Sequence, residues 1–278
     1  MVSGRVLVLG SLNVDLVTRV EAHPRPGETV LGEGLSRLAG GKGANQAVSA
    51  AAAGAAVAMV GCVGDDDGGR AYRERLARLG VDVAAVRVVE GATTGHALIQ
   101  VSDDGENSIV VVPGANEEVG AAELDAVRSL GPGDVLLLQL EIPLHVVCEA
   151  ARLADGRGAR VVLNVAPYVA LPPDVVALGD PVVANELEMA ALAEAGAETG
   201  SLLVTFGANG ASWDGDTAPA HALEGGRVVD TTGAGDAFCG ALAAALARGE
   251  DRPAALHAAL AAGAAAVQRE GAQPDPYL

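Results

Sequence analysis

Short, unbroken apolar runs recur along the chain, each closed by Gly, Pro or Asn: "RVLVLGS", "AAVAMVGCVG", "DVLLLQLEI", "ARVVLNVAP", "DPVVANE" and "SLLVTFG". Runs of this length without polar alternation predict strands buried on both faces. Between them stand stretches that read as helices: "GANQAVSAAAAGA", "GGRAYRERLARLG", "AAELDAVRSL" and "LHVVCEAARLADG". Two long helices, "GDAFCGALAAALARG" and "RPAALHAALAAGAAAVQREG", follow toward the end. This alternation implies a mostly parallel, doubly wound α/β sheet. Ligands of such sheets sit at the carboxyl ends of the strands, and the notable polar residues here follow strand ends. Two stretches break the pattern. Residues 16–40 and 86–113 read as antiparallel strands with turns, and their positions predict that they meet as a small separate sheet.

Composition narrows the function classes. The 278 residues suit one large α/β domain with a decorating subdomain, or two small domains. Half are hydrophobic but only 2% aromatic, so the core is built from Ala, Val and Leu. A formal net charge of −18 repels nucleic acid and acidic membranes, and few aromatics are available to stack on bases. Any bound polyanion must therefore be held by locally aimed groups. Cys62, Cys148 and Cys239 are odd in number and lie in apolar surroundings, which predicts reduced thiols in a cytoplasmic protein. No charged-then-apolar leader is read at the start, and no apolar run approaches the roughly 20 residues of a membrane span.

The chemistry gathers in four places. In "AGGKGANQAVSAA" the glycines at 40, 41 and 43 let backbone approach a ligand before a helix begins. The spacing is not that of a P-loop, since Gly follows the lysine. Lys42 is the only lysine against 17 arginines, a compact ammonium in a glycine turn. Asn45 is either a helix-start polar residue or a donor to a ligand hydroxyl. In "GSLNVDLV", Asn13 and Asp15 share one side of an extended chain and suit adjacent sugar hydroxyls, or ordinary turn chemistry. Glu141 ends a strongly apolar strand, where an unpaired charge is costly.

"DTTGAGDAFCG" is the fourth place. A helix start presents free N–H groups and partial positive charge, and Gly233 and Gly235 let those groups crowd around an anion. Asp236, just inside the helix, stands where it can take a proton from a hydroxyl attacking a phosphorus held there. Phosphoryl transfer needs mainly such positioning and charge stabilisation.

"GGKGANQAVSAA" and "DTTGAGDAFCGAL" resemble the two signatures of the PfkB carbohydrate kinase family, and "GSLNVDLV" and "GAQP" resemble its ribokinase branch. The resemblance runs from about residue 5 to 275. It implies a Rossmann-like three-layer α/β/α sandwich, one catalytic domain over 1–278, with a small β-sheet lid from about 16–40 and 86–113. It implies ATP-dependent phosphorylation of a sugar hydroxymethyl, O5 of ribose in that branch. By position, Asp236 is then the base, and Gly233, Ala234 and Gly235 donate N–H groups to the phosphoryl. Asn13, Asp15, Gly41, Lys42, Asn45 and Glu141 fall where the sugar is held. "NELE" places Asn185 toward ATP and Glu188 toward Mg²⁺ through water. Thr205, Phe206, Gly207, Ala208, Asn209 and Gly210 match the nucleotide loop. Asp230, Thr232, Ala266, Arg269, Gly271 and Asp275 occupy the positions of a K⁺ site, mostly through carbonyls. The stretch between Asn185 and Thr205 is shorter than the family's, and Leu260 stands where a polar residue can face adenine. The resemblance also implies a homodimer through the lid, with "TGHALIQVS" and "SIVVVPG" at the interface. Another small sugar or a nucleoside as substrate, and a catalytically weak sensor, are the competing readings.

Other features read plainly. "GDDDGG" is an acid-rich helix start, "RAYRERLARLG" a basic solvated face, and the five histidines show no ligand spacing.

Overall fold

A computed structural model describes residues 4–223 and 225–278. The chain runs through β1 (Val6–Leu9), β2 (Asn13–Val20), β3 (Glu33–Gly40), α1 (Lys42–Ala52), β4 (Val57–Gly64), α2 (Asp67–Arg78), β5 (Val81–Val89), β6 (Gly95–Ser102) and β7 (Asn107–Val112). Then come α3 (Leu124–Val127), β8 (Val135–Leu138), α4 (Leu144–Gly156), β9 (Arg160–Asn164), α5 (Pro173–Val176), β10 (Gly179–Asn185), α6 (Glu186–Glu194) and β11 (Leu202–Thr205). A hairpin of β12 (Ala211–Trp213) and β13 (Asp216–Ala218) precedes the long helices α7 (Ala234–Ala247) and α8 (Arg252–Ala266).

Nine strands form one sheet in the order β13-β12-β11-β10-β9-β8-β1-β4-β5. Every pairing from β11 to β5 is parallel; only the β12–β13 end is antiparallel. The unbroken apolar strands divide their side chains between two cores. Val6 and Val8 of β1 point into one with α1, α2, α7 and α8, while Leu7 and Leu9 point into the other with α3, α4 and α5. This is the three-layer α/β/α arrangement.

Alanine and glycine set the distance between α1 and α7. A Cβ on Gly240 would sit 2.4 Å from the Gln46 carbonyl oxygen, and Ser49 Oγ donates to the Ala237 carbonyl at 2.7 Å. Only small side chains permit that approach. It brings the first turns of both helices together, at the carboxyl end of the sheet.

The second sheet has the order β3-β2-β6-β7. Two expectations need correction here. Residues 86–89 are not part of it: they end β5, which follows α2 directly and pairs parallel with β4 at the edge of the large sheet, as a β-α-β crossover requires. The small sheet is also not wholly antiparallel, because β2 and β6 pair parallel over eight residues; they are joined through β3, α1, β4, α2 and β5 rather than a tight turn.

Two helix readings also change. "AAELDAVRSL" keeps only the four helical residues of α3, since Glu123 turns back to the Gly120 amide and to Arg87. On α2, Asp66 caps Gly69 N–H as an acid-rich start should, but the face is not wholly solvated. Tyr72 and Arg75 are buried, the latter donating to Gln273 Oε1 and the Pro274 carbonyl. All three cysteines are buried free thiols. No helix among the described residues is long and apolar enough to cross a membrane.

Candidate active site

The tip of α7 is the centre of the site. Gly233 caps the helix at φ 75°, and a Cβ there would lie 2.5 Å from Ala272, so this position demands glycine twice over. A Cβ on Gly235 would meet nothing within 4 Å, which leaves open space over the helix tip. Among the described residues the amides of Gly235 and Asp236 donate to no backbone carbonyl, whereas Ala234 N–H turns back to the Thr231 carbonyl at 3.3 Å. Of the trio expected from the sequence, the Gly233 and Gly235 amides donate to no backbone carbonyl among the described residues, and neither does that of Asp236 beside them, while Ala234 N–H is engaged.

Asp236 lies in the first turn of α7, 7% exposed. Its Oδ2 accepts from Asn45 Nδ2 at 3.0 Å and its Oδ1 from Gln46 Nε2 at 2.9 Å. Gln46 is locked in turn: its Oε1 accepts from Gln139 Nε2 at 2.6 Å, and its Nε2 also reaches Asn164 Oδ1 at 3.1 Å. The amide therefore cannot flip without setting two oxygens against each other.

A polar cleft of ≈ 520 Å³ opens over this tip, lined by Lys42, Asn185, Glu188, Thr205, Gly235 and Asp236 among others. Burial alone would lower the Lys42 pKa, but the charges of Asp236, Glu141 and Glu188 outweigh it and raise it, so the ammonium stays charged. Next to it lies a more apolar cleft of ≈ 1160 Å³ sharing Thr205, Thr231, Ala234 and Gly235, with Phe238, Leu260, Ala264 and Val267 on its walls. Of the loop read as nucleotide-binding, Thr205, Gly207, Ala208 and Gly210 line it; Phe206 and Asn209 do not.

On the other side Asn13 and Glu141 line a third opening with Val111, Pro113 and Pro143. Glu141 is not an unpaired charge: its Oε2 accepts from Ser11 Oγ at 2.6 Å and from Lys42 N–H at 3.0 Å. Asn13 Oδ1 accepts from Asn116 Nδ2 at 2.7 Å. Asp15, Gly41 and Asn45 line none of these three openings. Asp15 lies flat over Gly40, where any Cβ would be 2.1 Å from its Oδ2, and its Oδ1 is buried without a partner. Burial, helped by the like charges of Glu141 and Asp236, pushes its pKa up to about 7.

Asn185 and Glu188 form a capping box at the start of α6, each side chain bonding the other's N–H at 2.9 Å. Burial raises the Glu188 pKa, against the pull of the Asn185 amide and Lys42. No group of three or more His, Cys, Asp or Glu residues placed to hold a metal occurs among the described residues. Glu188, the one carboxylate lining the cleft besides Asp236, fits a divalent ion held chiefly by phosphate oxygens and water. Asp230 accepts from Thr232 N–H at 2.8 Å and Gly271 N–H at 2.9 Å, bonds that lower its pKa despite burial. An ionised carboxylate is thus held between the segments that carry Thr232 and Gly271.

Several residues of the site were not read from the sequence: Ser11, Gln46, Tyr72, Asn116, Gln139, Asn164 and Gln273. Gln46 stands in the quoted "GGKGANQ" beside Asn45, and Gln273 in "GAQP"; buried amides carry no periodic signal that would single them out.

Residues 3–277 match the pfkB family carbohydrate kinases. The ribokinase of Bacillus subtilis is 38% identical over 280 residues, covering 96% of this chain and 94% of that protein. The ribokinase of Schizosaccharomyces pombe is 37% identical over 296 residues, covering 96% and 93%. The structure of Arabidopsis thaliana ribokinase complexed with ribose and ATP superposes with a TM-score of 0.88 at 32% identity, covering 99% of this chain and 96% of that one. Fold, helix-tip geometry and these likenesses agree: the chain belongs to the pfkB family of carbohydrate kinases.

Proposed function

We propose that this protein transfers the γ-phosphoryl group of ATP to the O5 hydroxyl of ribose, with Asp236 as the base. One observation carries the reading: Asp236 stands beside free N–H groups at a helix tip, in the polar cleft that adjoins the large apolar one. When bound, MgATP supplies the phosphoryl group, and the divalent ion offsets charge on its phosphates. The apolar cleft suits a base and nucleoside held by contact with Leu260, Ala264 and Val267, and the polar cleft suits phosphates. Relatives named for ribose, and a relative's complex with ribose and ATP, support the choice of sugar.

In this reading Asn13, Asp15, Gly41, Lys42, Asn45 and Glu141 gather around the sugar, and Asp236 takes the proton from its hydroxymethyl. The oxygen so freed bonds to phosphorus as the bridge to ADP breaks, in line. The N–H groups of Gly235 and Asp236, with the Lys42 ammonium, face the negative charge that the transferring group carries. Glu188 holds water on the divalent ion rather than binding it alone. Asp230 and the carbonyls of Thr232, Ala266, Arg269, Gly271 and Asp275 form the monovalent-cation loop. The three buried thiols suit a reducing, cytoplasmic setting.

The test is ADP release from MgATP with ribose, fructose, deoxyribose and adenosine as acceptors, in K⁺ and in Na⁺. Ribose-dependent turnover, faster in K⁺, is expected, and Asp236→Asn should lower kcat by about a thousandfold in a protein that still folds, as circular dichroism checks. Full turnover in that folded variant removes the mechanism; preference for another acceptor corrects the substrate alone.

A further inference from the structure

Gln273 lies in the C-terminal segment, 0% exposed and far along the chain from the helices it touches. Its Nε2 donates to Asn45 Oδ1 at 2.8 Å and to Tyr72 Oη at 2.9 Å, and its Oε1 accepts from Arg75 Nε at 3.3 Å. Tyr72 donates its own hydroxyl proton to the Gly40 carbonyl, so toward Gln273 it is an acceptor. Arg75 has only donors. Between them they fix which end of the Gln273 amide is nitrogen. That nitrogen fixes Asn45, whose oxygen must face Gln273 and whose Nδ2 must therefore face Asp236 Oδ2.

The chain Arg75, Gln273, Asn45, Asp236 has one polarity, every link donating toward the carboxylate. Flip the Asn45 amide and an oxygen would face Asp236 instead, replacing attraction by repulsion in a buried place. The segment carrying Gln273 is itself anchored: Arg75 Nη2 donates to the Pro274 carbonyl at 2.6 Å, Ala39 N–H to the Pro276 carbonyl at 2.7 Å, and Leu278 N–H to the Arg37 carbonyl at 3.0 Å. Leu38 and Tyr277 form an antiparallel bridge, so the last residues extend the small sheet at β3.

We propose that Gln273 is a positioning residue, which orients the Asp236 carboxylate by dictating the amide orientation of Asn45. The proposal rests on the reading of Asp236 as the base. Gln273 touches no opening over the helix tip, and it acts through Asn45 alone.

A double-mutant cycle on the full chain tests this. Gln273→Met keeps the volume and removes the polar links; kcat should fall roughly tenfold to a hundredfold, because a misdirected base costs rate rather than binding. KM for ATP should stay within about threefold, as that group is remote from the apolar cleft. In an Asn45→Ala background the same change should cost nothing further. An unchanged kcat in folded Gln273→Met, or an equal loss with and without Asn45, overturns the proposal. Where the methionine variant does not fold, Gln273→Glu takes its place: it keeps the Arg75 contact, cannot donate to Asn45, and should give the same cycle. Asp236→Asn run alongside separates the two ideas. If it is dead while Gln273→Met is fully active, only the positioning role fails; if it retains turnover, the base reading fails and takes this proposal with it.

Discussion

At single positions, glycine and buried carboxylate set the terms. Gly233 and Gly235 look alike in the sequence and differ in the structure. Gly233→Ala forces a Cβ into Ala272 at a positive φ and should destabilise by roughly 2 kcal/mol, seen as a lowered melting temperature. Gly235→Ala meets no neighbour, so melting should be unchanged or slightly raised, while the new methyl stands in the cleft and raises KM for ATP. Equal effects on melting would contradict the geometry. Asp15 makes a pH prediction. Its folded pKa of about 7 lies above the ordinary carboxylate value, so the native state binds its proton more tightly than the unfolded chain does. Stability from this group is complete below the unfolded pKa and is lost as pH rises through about 7. The Asp15→Asn protein should therefore gain in melting temperature relative to wild type between pH 5 and pH 8, measured without ligands. A constant difference across that range would show that Asp15 does not titrate there.

At the scale of elements, α1 and α7 carry the site because small residues let them meet. Gly240 against the Gln46 backbone and Ser49 on the Ala237 carbonyl bring Asn45 and Gln46 to Asp236. The start of α6 shows how one pair serves two ends. Asn185 and Glu188 were read for nucleotide and Mg²⁺, yet they also close a capping box. Asn185→Ala should cost about 1 kcal/mol of helix stability, speeding amide exchange across 186–194 about fivefold. Unaltered exchange there would mean the cap is not what holds α6. The β12–β13 hairpin was legible but unread: "WDGD" carries the Asp-Gly of a two-residue turn, and Asp214 and Gly215 both have positive φ. The α3 stretch was the reverse case, a helical pattern that begins only after Glu123, whose side chain bonds Arg87 and the Gly120 amide.

For the whole molecule, the small sheet has two unlike edges. The C-terminal residues extend it at β3, while β7 is exposed along all six residues, including Ile109, Val110, Val111 and Val112. An open apolar edge strand invites pairing with a second copy, which favours β7 over the inner β6 as the edge of a homodimer. Light scattering at micromolar concentration should give twice the 27.6 kDa chain mass, and Val110→Lys should shift it toward one chain. A monomeric wild type would remove the interface. The net charge of −18 gives the site its other constraint, since a polyanionic nucleotide must be held by amides and one ammonium against the field of the whole protein.

Strand and helix alternation, the parallel sheet and the glycine-opened helix start are consequences of local pattern, and the sequence alone determined them: apolar runs must be covered on both faces, and glycines at a helix tip free its N–H groups. The polar partners were decided only by tertiary structure. Gln46, Gln273, Tyr72 and Arg75 sit in alanine-rich or basic stretches whose periodicity says nothing of what they bond. Their role depends on which helices approach closely and on the last residues folding back to β3, and such long-range contacts leave no trace in neighbouring residues. The split of residues 81–112 between two sheets has the same cause, because a strand's partner is chosen by packing and not by its own alternation.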